Sequence, residues 1–394
     1  MTSTFAVTGG HIFNGTQFVD GSALVVADGK IAAIADNSTL AADMPKVDAH
    51  GALVVPGFID LQVNGGGGVL FNNQPDLAGI RTICATHARF GTTALLPTLI
   101  TDHVEIRDKA LAAGQQAFAA DVPGFLGLHL EGPHLSIARK GTHDPALIRE
   151  MTADDLTVLC DNAGQFGAAL ITIAPENVSP DQVRTLCAAG YTVSLGHTDV
   201  NCADVTPYVA AGATMVTHLF NAMSQLGNRE PGLVGAALST PALSCGLIAD
   251  GFHIDPVSMT LALRAKTGPG RIFLVTDAMS SIGTDEEGFM LTGRQIYRKG
   301  GRLTLADGTL AGADIDMLSC VKFVHDRLGL PLKEALNMAS LYPADAIGCP
   351  QKGRLSIGMD ADFVLLSPNL NLLSTWIGGQ CVYRDVPVAE HLAS

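Results

Sequence analysis

The sequence has few charged or aromatic residues, and it lacks any long apolar run. Only 16% of its 394 residues are charged and 5% are aromatic, with a single tryptophan. Its apolar runs, such as 23–27 and 272–275, are far shorter than the roughly 20 residues that a membrane-spanning helix needs. We therefore expect no membrane contact and interpret these runs as buried strands.

A basic stripe is also missing. The net charge is −14, with 24 Lys and Arg against 38 Asp and Glu, and the sequence contains no cluster of Lys and Arg. Because a phosphate polymer requires such a stripe, nucleic acid is excluded as a partner. One small anion remains compatible, since a few local cations and oriented backbone N–H groups can bind a phosphate.

No Cys-x-x-Cys pair occurs among the eight cysteines, and most of them lie in apolar segments. This pattern favours free buried thiols over disulfides or a cysteine metal site. Residues 1–8 also lack the basic and apolar regions of a secretory signal. We expect a cytoplasmic protein.

The middle of the sequence alternates apolar strand candidates with helix-like stretches. Eight such candidates occur, at 54–61, 92–98, 124–130, 168–174, 191–196, 214–219, 244–249 and 271–276. Alternating β and α segments imply a parallel sheet, and eight units in about 300 residues are typical of a (β/α)₈ barrel. A doubly wound open sheet is the structural alternative.

The two ends of the chain have a different texture. Short β-like runs there are separated by tight turns, such as Asp28-Gly29-Lys30. We expect residues 1–55 and 350–394 to form one small β-sandwich domain together, and residues 56–349 to form the barrel.

Polar residues follow four of the predicted strands. Glu131 follows the third strand, His197 the fifth, His218 the sixth and Asp277 the eighth. In a barrel these strand ends share one rim. A Glu and two neutral imidazoles suit Zn²⁺ or a similar divalent ion with one position open for water. Asp277 would then accept a proton from that water.

Each of these residues taken alone has a simpler interpretation. A single His after a strand is commonly a hydrogen-bonded loop or core residue. Glu131 could cap a helix or pair with an arginine, and Asp277 could be a helix N-cap. Only their joint placement on one rim favours a metal site.

Several segments resemble, in order, motifs of the N-acetylglucosamine-6-phosphate deacetylases of the amidohydrolase superfamily. These segments are His129-Leu130-Glu131-Gly132-Pro133, Lys140-Gly141-Thr142-His143, Leu195-Gly196-His197-Thr198, Thr217-His218-Leu219-Phe220-Asn221-Ala222-Met223 and Thr276-Asp277-Ala278. The resemblance covers essentially the whole chain. The flanking segments 54–60 and 353–362 are similar to the wider superfamily.

The resemblance implies an enzyme that hydrolyses N-acetyl-D-glucosamine 6-phosphate to D-glucosamine 6-phosphate and acetate. Many superfamily members hold a second metal with His-x-His after the first strand, but this sequence has Gln62 and Asn64 there. Amides are poor transition-metal ligands, so we expect one ion per subunit. Zn²⁺ is expected, with Fe²⁺, Mn²⁺ or Co²⁺ as alternatives. Gln62 and Asn64 remain candidate pocket residues.

The resemblance also implies the substrate contacts. Asn221, the Ala222 N–H and Arg229 would bind the sugar phosphate, with Arg229 reaching across the interface of a homodimer. His143 would contact the sugar or acetyl carbonyl and take part in catalysis. The remaining candidate substrate contacts are Thr142, His253 and Ile315, the last against the acetyl methyl group. Arg229, His143 and His253 could instead be ordinary loop residues.

Three alternatives remain open. The first is an N-acetylgalactosamine-6-phosphate deacetylase, whose substrate differs at one hydroxyl. The second is another amidase of the superfamily, although cyclic amidases normally need two metals. The third is a metal-free scaffold without catalysis, which the retention of all three ligands and Asp277 disfavours.

Overall fold

The computed structural model describes residues 4–291 and 293–385. The strands are β1 Phe5–Thr8, β2 His11–Phe13, β3 Phe18–Val19, β4 Ser22–Ala27, β5 Lys30–Asp36, β6 Lys46–Asp48, β7 Leu53–Pro56, β8 Phe58–Val63, β9 Gly65–Gly66, β10 Val69–Leu70, β11 Thr92–Ile100, β12 Gly127–Glu131, β13 Ala168–Ile173, β14 Tyr191–Leu195, β15 Met215–Val216, β16 Ser244–Ile248, β17 Ile272–Val275, β18 Gly288–Leu291, β19 Arg294–Lys299, β20 Arg302–Thr304, β21 Leu310–Ala313, β22 Phe363–Leu366, β23 Leu372–Ile377 and β24 Gln380–Arg384. The helices are α1 Leu77–Ala88, α2 Val104–Ala119, α3 Ala153–Asn162, α4 Pro180–Ala189, α5 Thr206–Ala211, α6 Gly232–Ser239, α7 Pro256–Ala265, α8 Met317–Asp326, α9 Leu332–Ala339 and α10 Leu341–Ala346. Within the described ranges, every helix is too short or too polar to span a membrane.

Eight parallel strands form the centre of the molecule, in the spatial order β8, β11, β12, β13, β14, β15, β16, β17. The first and last of these strands also meet. The Asp277 N–H donates to the Gln62 carbonyl, and the Asn64 N–H donates to the Ala278 carbonyl, each at 2.9 Å. These bonds close the sheet, which confirms the predicted (β/α)₈ barrel.

A buried carboxylate lies at this closing seam. Asp60 on β8 accepts hydrogen bonds from the Thr276 N–H at 3.2 Å and the Thr276 hydroxyl at 2.5 Å. Burial raises the pKa of Asp60 to about 7, and the hydrogen bonds offset only part of this effect.

The predicted first strand, 54–61, is two strands. Residues Leu53–Pro56 belong to a sheet outside the barrel, and Phe58–Val63 start the barrel. Gly57 separates the two strands, and a Cβ at this position would overlap the Thr93 side chain. The apolar run continues across the break, so hydrophobicity alone gave no signal of it.

Two further sheets lie outside the barrel. The first is built from the N-terminal segment alone, and the second from both chain ends. One has the order β5, β4, β1, β6, and the other has the order β24, β23, β22, β7, β2, β3. The chain ends meet where β22 pairs with β7, with Val364 opposite Val55. Trp376 packs between Phe363 and Phe5, at ring distances of 5.3 and 5.4 Å. The division at residues 55 and 350 remains a prediction, and its end segments 1–3 and 386–394 lie outside the described residues.

A four-stranded antiparallel sheet, the rim sheet β18–β21, interrupts the barrel pattern between β17 and α8. Its apolar side, which includes Leu291, Ile296 and Leu303, packs against Met279 and Ile100. The sequence did not predict this sheet, because strands such as β19 have a single buried residue and form no apolar run.

Candidate active site

The barrel rim carries all four residues predicted from the strand ends. Glu131 is the last residue of β12, and His197, His218 and Asp277 each follow a strand by two residues. The last three have left-handed backbones, with φ of 48°, 24° and 53°. This conformation costs about 1–2 kcal/mol for a residue with a Cβ. Three strained residues on one rim are typical of a functional site.

Three ligand atoms converge at this rim. The Glu131 Oε1 atom lies 3.3 Å from Nε2 of His197 and 3.2 Å from Nε2 of His218, and the two Nε2 atoms are 3.0 Å apart. A tetrahedral ion with bonds of about 2.0–2.1 Å holds its ligand atoms roughly 3.3 Å apart. The spacing therefore suits one small divalent ion.

The protonation pattern of the imidazoles also fits a cation. Nδ1 of His197 lies 2.9 Å from the Arg139 carbonyl oxygen and therefore carries the proton, so Nε2 turns its lone pair towards Glu131. Acceptor atoms thus face one another at this position, and a cation between them would satisfy them. Nδ1 of His218 is buried without a hydrogen-bond partner among the described residues.

A second set of possible ligands shares two of these residues. Ligand atoms of Glu131, His143 and His197 lie within 4.8 Å of one another. However, Nε2 of His143 is 3.9 Å from Oε2 of Glu131, and its Nδ1 is 2.8 Å from the Thr101 hydroxyl oxygen. The set with His218 is tighter and better matches the spacing around one ion.

Glu131 and His218 shift each other's ionisation. Burial alone would raise the pKa of Glu131 and lower that of His218. A proton on Nε2 of His197 or His218 can satisfy Glu131 in place of a cation. Such hydrogen bonds hold the Glu131 pKa well below its usual range, and the bond to Glu131 raises the His218 pKa. The rim therefore stabilises positive charge next to Glu131.

Two amides hold the Asp277 carboxylate. Nε2 of Gln62 donates to Oε1 of Glu131 at 3.1 Å and to Oδ1 of Asp277 at 3.2 Å, and Nδ2 of Asn64 donates to the same Asp277 oxygen at 2.6 Å. Burial, and next the negative charge of Glu131, raise the pKa of Asp277. Since both amide bonds within the described residues go to Oδ1, Oδ2 is the oxygen left for proton transfer.

The four residues lie in a cavity of about 250 Å³ beneath the rim sheet. Most predicted contacts also line it: Asn64, Thr142, His143, Asn221, Ala222 and His253. The pocket residues that the sequence did not single out are Ile100, Gly141, Met279, Thr309, Leu310 and Gly312. Several of them come from or contact the rim sheet, so no strand-end signal could have found them.

Three predicted residues lie outside the pocket lining. Gln62 contacts the site through the bonds described above. Arg229 is on an exposed loop, and Ile315 is half-buried against the core. Neither Arg229 nor Ile315 is among the residues that line the cavity of this chain.

The two further histidines of the pocket are each held by a neighbour. Burial, followed by the charge of His197, lowers the pKa of His143 to about 3, so its ring is neutral. Nδ1 of His253 lies 2.6 Å from Oδ2 of Asp250. Both rings are thereby fixed in orientation at the cavity wall.

Comparisons with known proteins identify the family of this chain. The amidohydrolase family model matches residues 53–382, and the NagA composite domain matches residues 4–54. The N-acetylgalactosamine-6-phosphate deacetylase of Shewanella sp. (strain ANA-3) is 40% identical over 95% of both chains. The N-acetylglucosamine-6-phosphate deacetylase of Haemophilus influenzae is 35% identical over 90% of this chain and 93% of its own.

A solved structure is also similar over nearly the whole chain. The N-acetylglucosamine-6-phosphate deacetylase from Pasteurella multocida has a TM-score of 0.93 at 34% identity, over 97% of this chain and 100% of its own. The predicted resemblance and the prediction of a hydrolytic enzyme are therefore confirmed. This chain belongs to the amidohydrolase family, in the group that contains the deacetylases of acetylated amino-sugar 6-phosphates.

Proposed function

We propose that this protein hydrolyses N-acetyl-D-glucosamine 6-phosphate to D-glucosamine 6-phosphate and acetate. The observation that carries the proposal is the convergence of Glu131, His197 and His218 on one point, with the Asp277 carboxylate held beside it by Gln62. This arrangement suits hydrolysis of an amide, which needs an activated water and a group that transfers its proton.

Glu131, His197 and His218 would hold one divalent ion, and their Glu/His/His chemistry suits Zn²⁺. Such an ion lowers the pKa of water to about 7 and polarises the amide carbonyl when it is bound. Asp277 would accept the proton of the attacking water at Oδ2 and deliver it to the departing amine nitrogen. The neutral His143 would donate a hydrogen bond to the acetyl carbonyl or the sugar.

The phosphate would bind at the other side of the pocket. The Ala222 N–H, in a left-handed residue with φ of 48°, donates to no other described residue, and the Asn221 side chain lies next to it. Among the described residues that line the cavity, none is Lys or Arg. We therefore infer a homodimer in which the exposed Arg229 of a second copy supplies the cation, through its planar set of donors.

We also infer a cytoplasmic location. The support is that all eight cysteines, which lie in the described part of the chain, have free thiols, as is usual in a reducing compartment.

The galactosamine epimer is the second candidate substrate. The observation in its favour is that the Shewanella relative, at 40% identity, is named for that epimer. Another amidase of the family is less well supported, because Gln62 and Asn64 donate to Asp277 and leave no imidazole pair there for a second ion.

Acetate release tests the proposal. The substrates are N-acetylglucosamine 6-phosphate, its galactosamine epimer and unphosphorylated N-acetylglucosamine, each before and after chelation of metal. We expect the glucosamine phosphate to be preferred and chelation to abolish turnover. Faster release from the galactosamine epimer would select the second candidate. Equal rates with and without the phosphate would contradict the roles of Asn221, Ala222 and Arg229.

A further inference from the structure

His129 is a buried residue of the motif that contains Glu131, and the proposed mechanism does not use it. It lies on β12 two residues before Glu131, so both side chains face the barrel interior, with His129 one layer below the site. Its exposed fraction is 1%. A buried imidazole requires partners for both ring nitrogens.

A continuous chain of hydrogen bonds runs from His129 across the barrel interior. Nε2 of His129 is 2.7 Å from the Thr172 hydroxyl oxygen, which is 2.7 Å from that of Thr217. The Ser194 hydroxyl lies 2.6 Å from Thr217. We call Thr98, His129, Thr172, Ser194 and Thr217 the interior belt, because Nδ1 of His129 also lies 3.4 Å from the Thr98 hydroxyl.

The hydrogen bonds of the belt can all be donated in the same direction along the run. The Thr98 hydroxyl donates to the Leu96 carbonyl and accepts from the Val63 N–H, so it offers no proton to His129. Nδ1 of His129 is then the donor and Nε2 the acceptor. Ser194 can donate to Thr217, Thr217 to Thr172 and Thr172 to His129, which leaves no hydroxyl of this run without an acceptor.

The belt joins the strands that carry the proposed metal ligands. His129 shares β12 with Glu131, Ser194 lies on β14 three residues before His197, and Thr217 directly precedes His218. Thr172 on β13 bridges them. Outer partners of this kind orient metal ligands, and their loss typically weakens metal binding 10- to 100-fold.

We infer that His129 and Thr172 are positioning residues, which fix the spacing of Glu131, His197 and His218 through the interior belt. The inference rests on the proposed function, because it takes these three residues as metal ligands. It adds that the hydrogen bonds of the layer below, and not only the ligands themselves, set the affinity of the site.

The test compares two pairs of variants of the full chain. His129→Phe and Thr172→Val keep the approximate shape but break the belt. His129→Gln keeps an acceptor near the Nε2 position, and Thr172→Ser keeps the hydroxyl. The matched control is Thr92→Val at the opposite end of the neighbouring strand β11, which removes a buried hydroxyl that has no hydrogen-bond partner among the described residues.

The readouts are the dissociation constant for Zn²⁺, from competition with a chromophoric chelator, and the denaturant midpoint of the metal-free chain. We expect His129→Phe and Thr172→Val to raise the dissociation constant about 10- to 100-fold, and the Gln, Ser and control variants to change it less than about threefold. If His129→Phe does not fold, the Thr172 pair decides.

Two outcomes would overturn the inference. One is a lower denaturant midpoint with unchanged Zn²⁺ affinity, which would mean that the belt only packs the barrel. The other is an equal loss of Zn²⁺ affinity in Thr172→Val and Thr172→Ser. A wild-type chain that binds no Zn²⁺ would instead refute the proposed function, so the two failures are distinguishable.

Discussion

The lower and upper halves of the barrel interior differ although the same strands build both. On three strands, an apolar residue of the lower half is followed two positions later, on the same face, by a hydroxyl of the upper half: Leu96 by Thr98, Leu170 by Thr172 and Met215 by Thr217. The lower half is an apolar core, and the upper half is a hydrogen-bonded layer beneath the candidate metal ligands. Stability and chemistry are thus separated along each strand.

The largest expected effect lies at the top of the upper half. Asp277→Asn removes the proton acceptor but keeps an oxygen for the hydrogen bonds from Gln62 and Asn64. We expect turnover to fall about 10²- to 10⁴-fold, with Zn²⁺ content and denaturant midpoint close to wild type. Acetate-release kinetics and metal analysis on the same preparation check this, and near-normal turnover would remove Asp277 from its assigned role.

A substitution in the lower half should reduce stability and leave the metal site unchanged. Leu170→Ala truncates a fully packed side chain, which costs about 2–5 kcal/mol of unfolding free energy through lost burial and the cavity left behind. Its Zn²⁺ affinity should stay within about threefold of wild type, because Leu170 lies one layer below Thr172 and its side chain takes no part in the hydrogen bonds of the interior belt. Denaturant unfolding of the metal-free chain measures the first quantity. A loss of affinity as large as that of Thr172→Val would erase the division between the halves.

The buried Asp60, at the seam that closes the barrel, should make the stability of the folded chain depend on pH. Its pKa is raised from 3.8 to about 7, so the folded state binds this proton more tightly than the unfolded state does. The contribution of Asp60 to stability is therefore lost as pH rises from about 4 to about 7. Relative to wild type, Asp60→Asn should gain stability over this window, by up to about 4 kcal/mol.

Unfolding of wild type and Asp60→Asn at pH 4, 5.5 and 7 measures this difference. The matched control is Asp307→Asn, on an exposed turn where the backbone and side-chain hydrogen bonds of Thr309 lower the pKa of Asp307, so that its effect on stability changes below about pH 4 and not within the window. If the difference in unfolding free energy between wild type and Asp60→Asn stays constant with pH, Asp60 is ionised throughout the window.

Chelation should produce the smallest of these effects. Removing the ion destabilises the folded chain by about 2.7 kcal/mol when the free ion was present at 100 times its dissociation constant. Leu170→Ala should show the same metal-dependent difference in unfolding free energy as wild type, because the substitution leaves the ligands and the hydrogen bonds of the interior belt in place. An altered difference in this variant would show that the two halves are coupled.

The barrel strands and the rim residues could be predicted from the sequence, whereas the hydrogen-bonded layer between them could not. The barrel could be predicted because buried parallel strands form apolar runs, and the four rim residues could be predicted because each follows such a run. The interior belt gave no signal, since threonine and serine within an apolar strand look like ordinary strand residues. Only the three-dimensional arrangement brings hydroxyls from β13, β14 and the end of β15 together.

Other features depend on tertiary structure that the sequence does not encode locally. The rim sheet has exposed, charged strands such as Arg294–Lys299, so it could not be told from a loop. The bonds from Gln62 to Glu131 and Asp277 join residues 69 and 215 positions apart. Arg229 lies on an exposed loop, and its assigned role requires a second chain.

The most direct measurement is a titration of Zn²⁺ into metal-free protein while acetate release from N-acetylglucosamine 6-phosphate is followed. Activity should be absent without metal, rise in proportion to added Zn²⁺ and stop rising at one ion per chain; His218→Ala should bind and respond far more weakly. Three results would contradict a single-ion site built from Glu131, His197 and His218. They are full activity without metal, a plateau at two ions per chain, and a His218→Ala variant that responds to Zn²⁺ as wild type does.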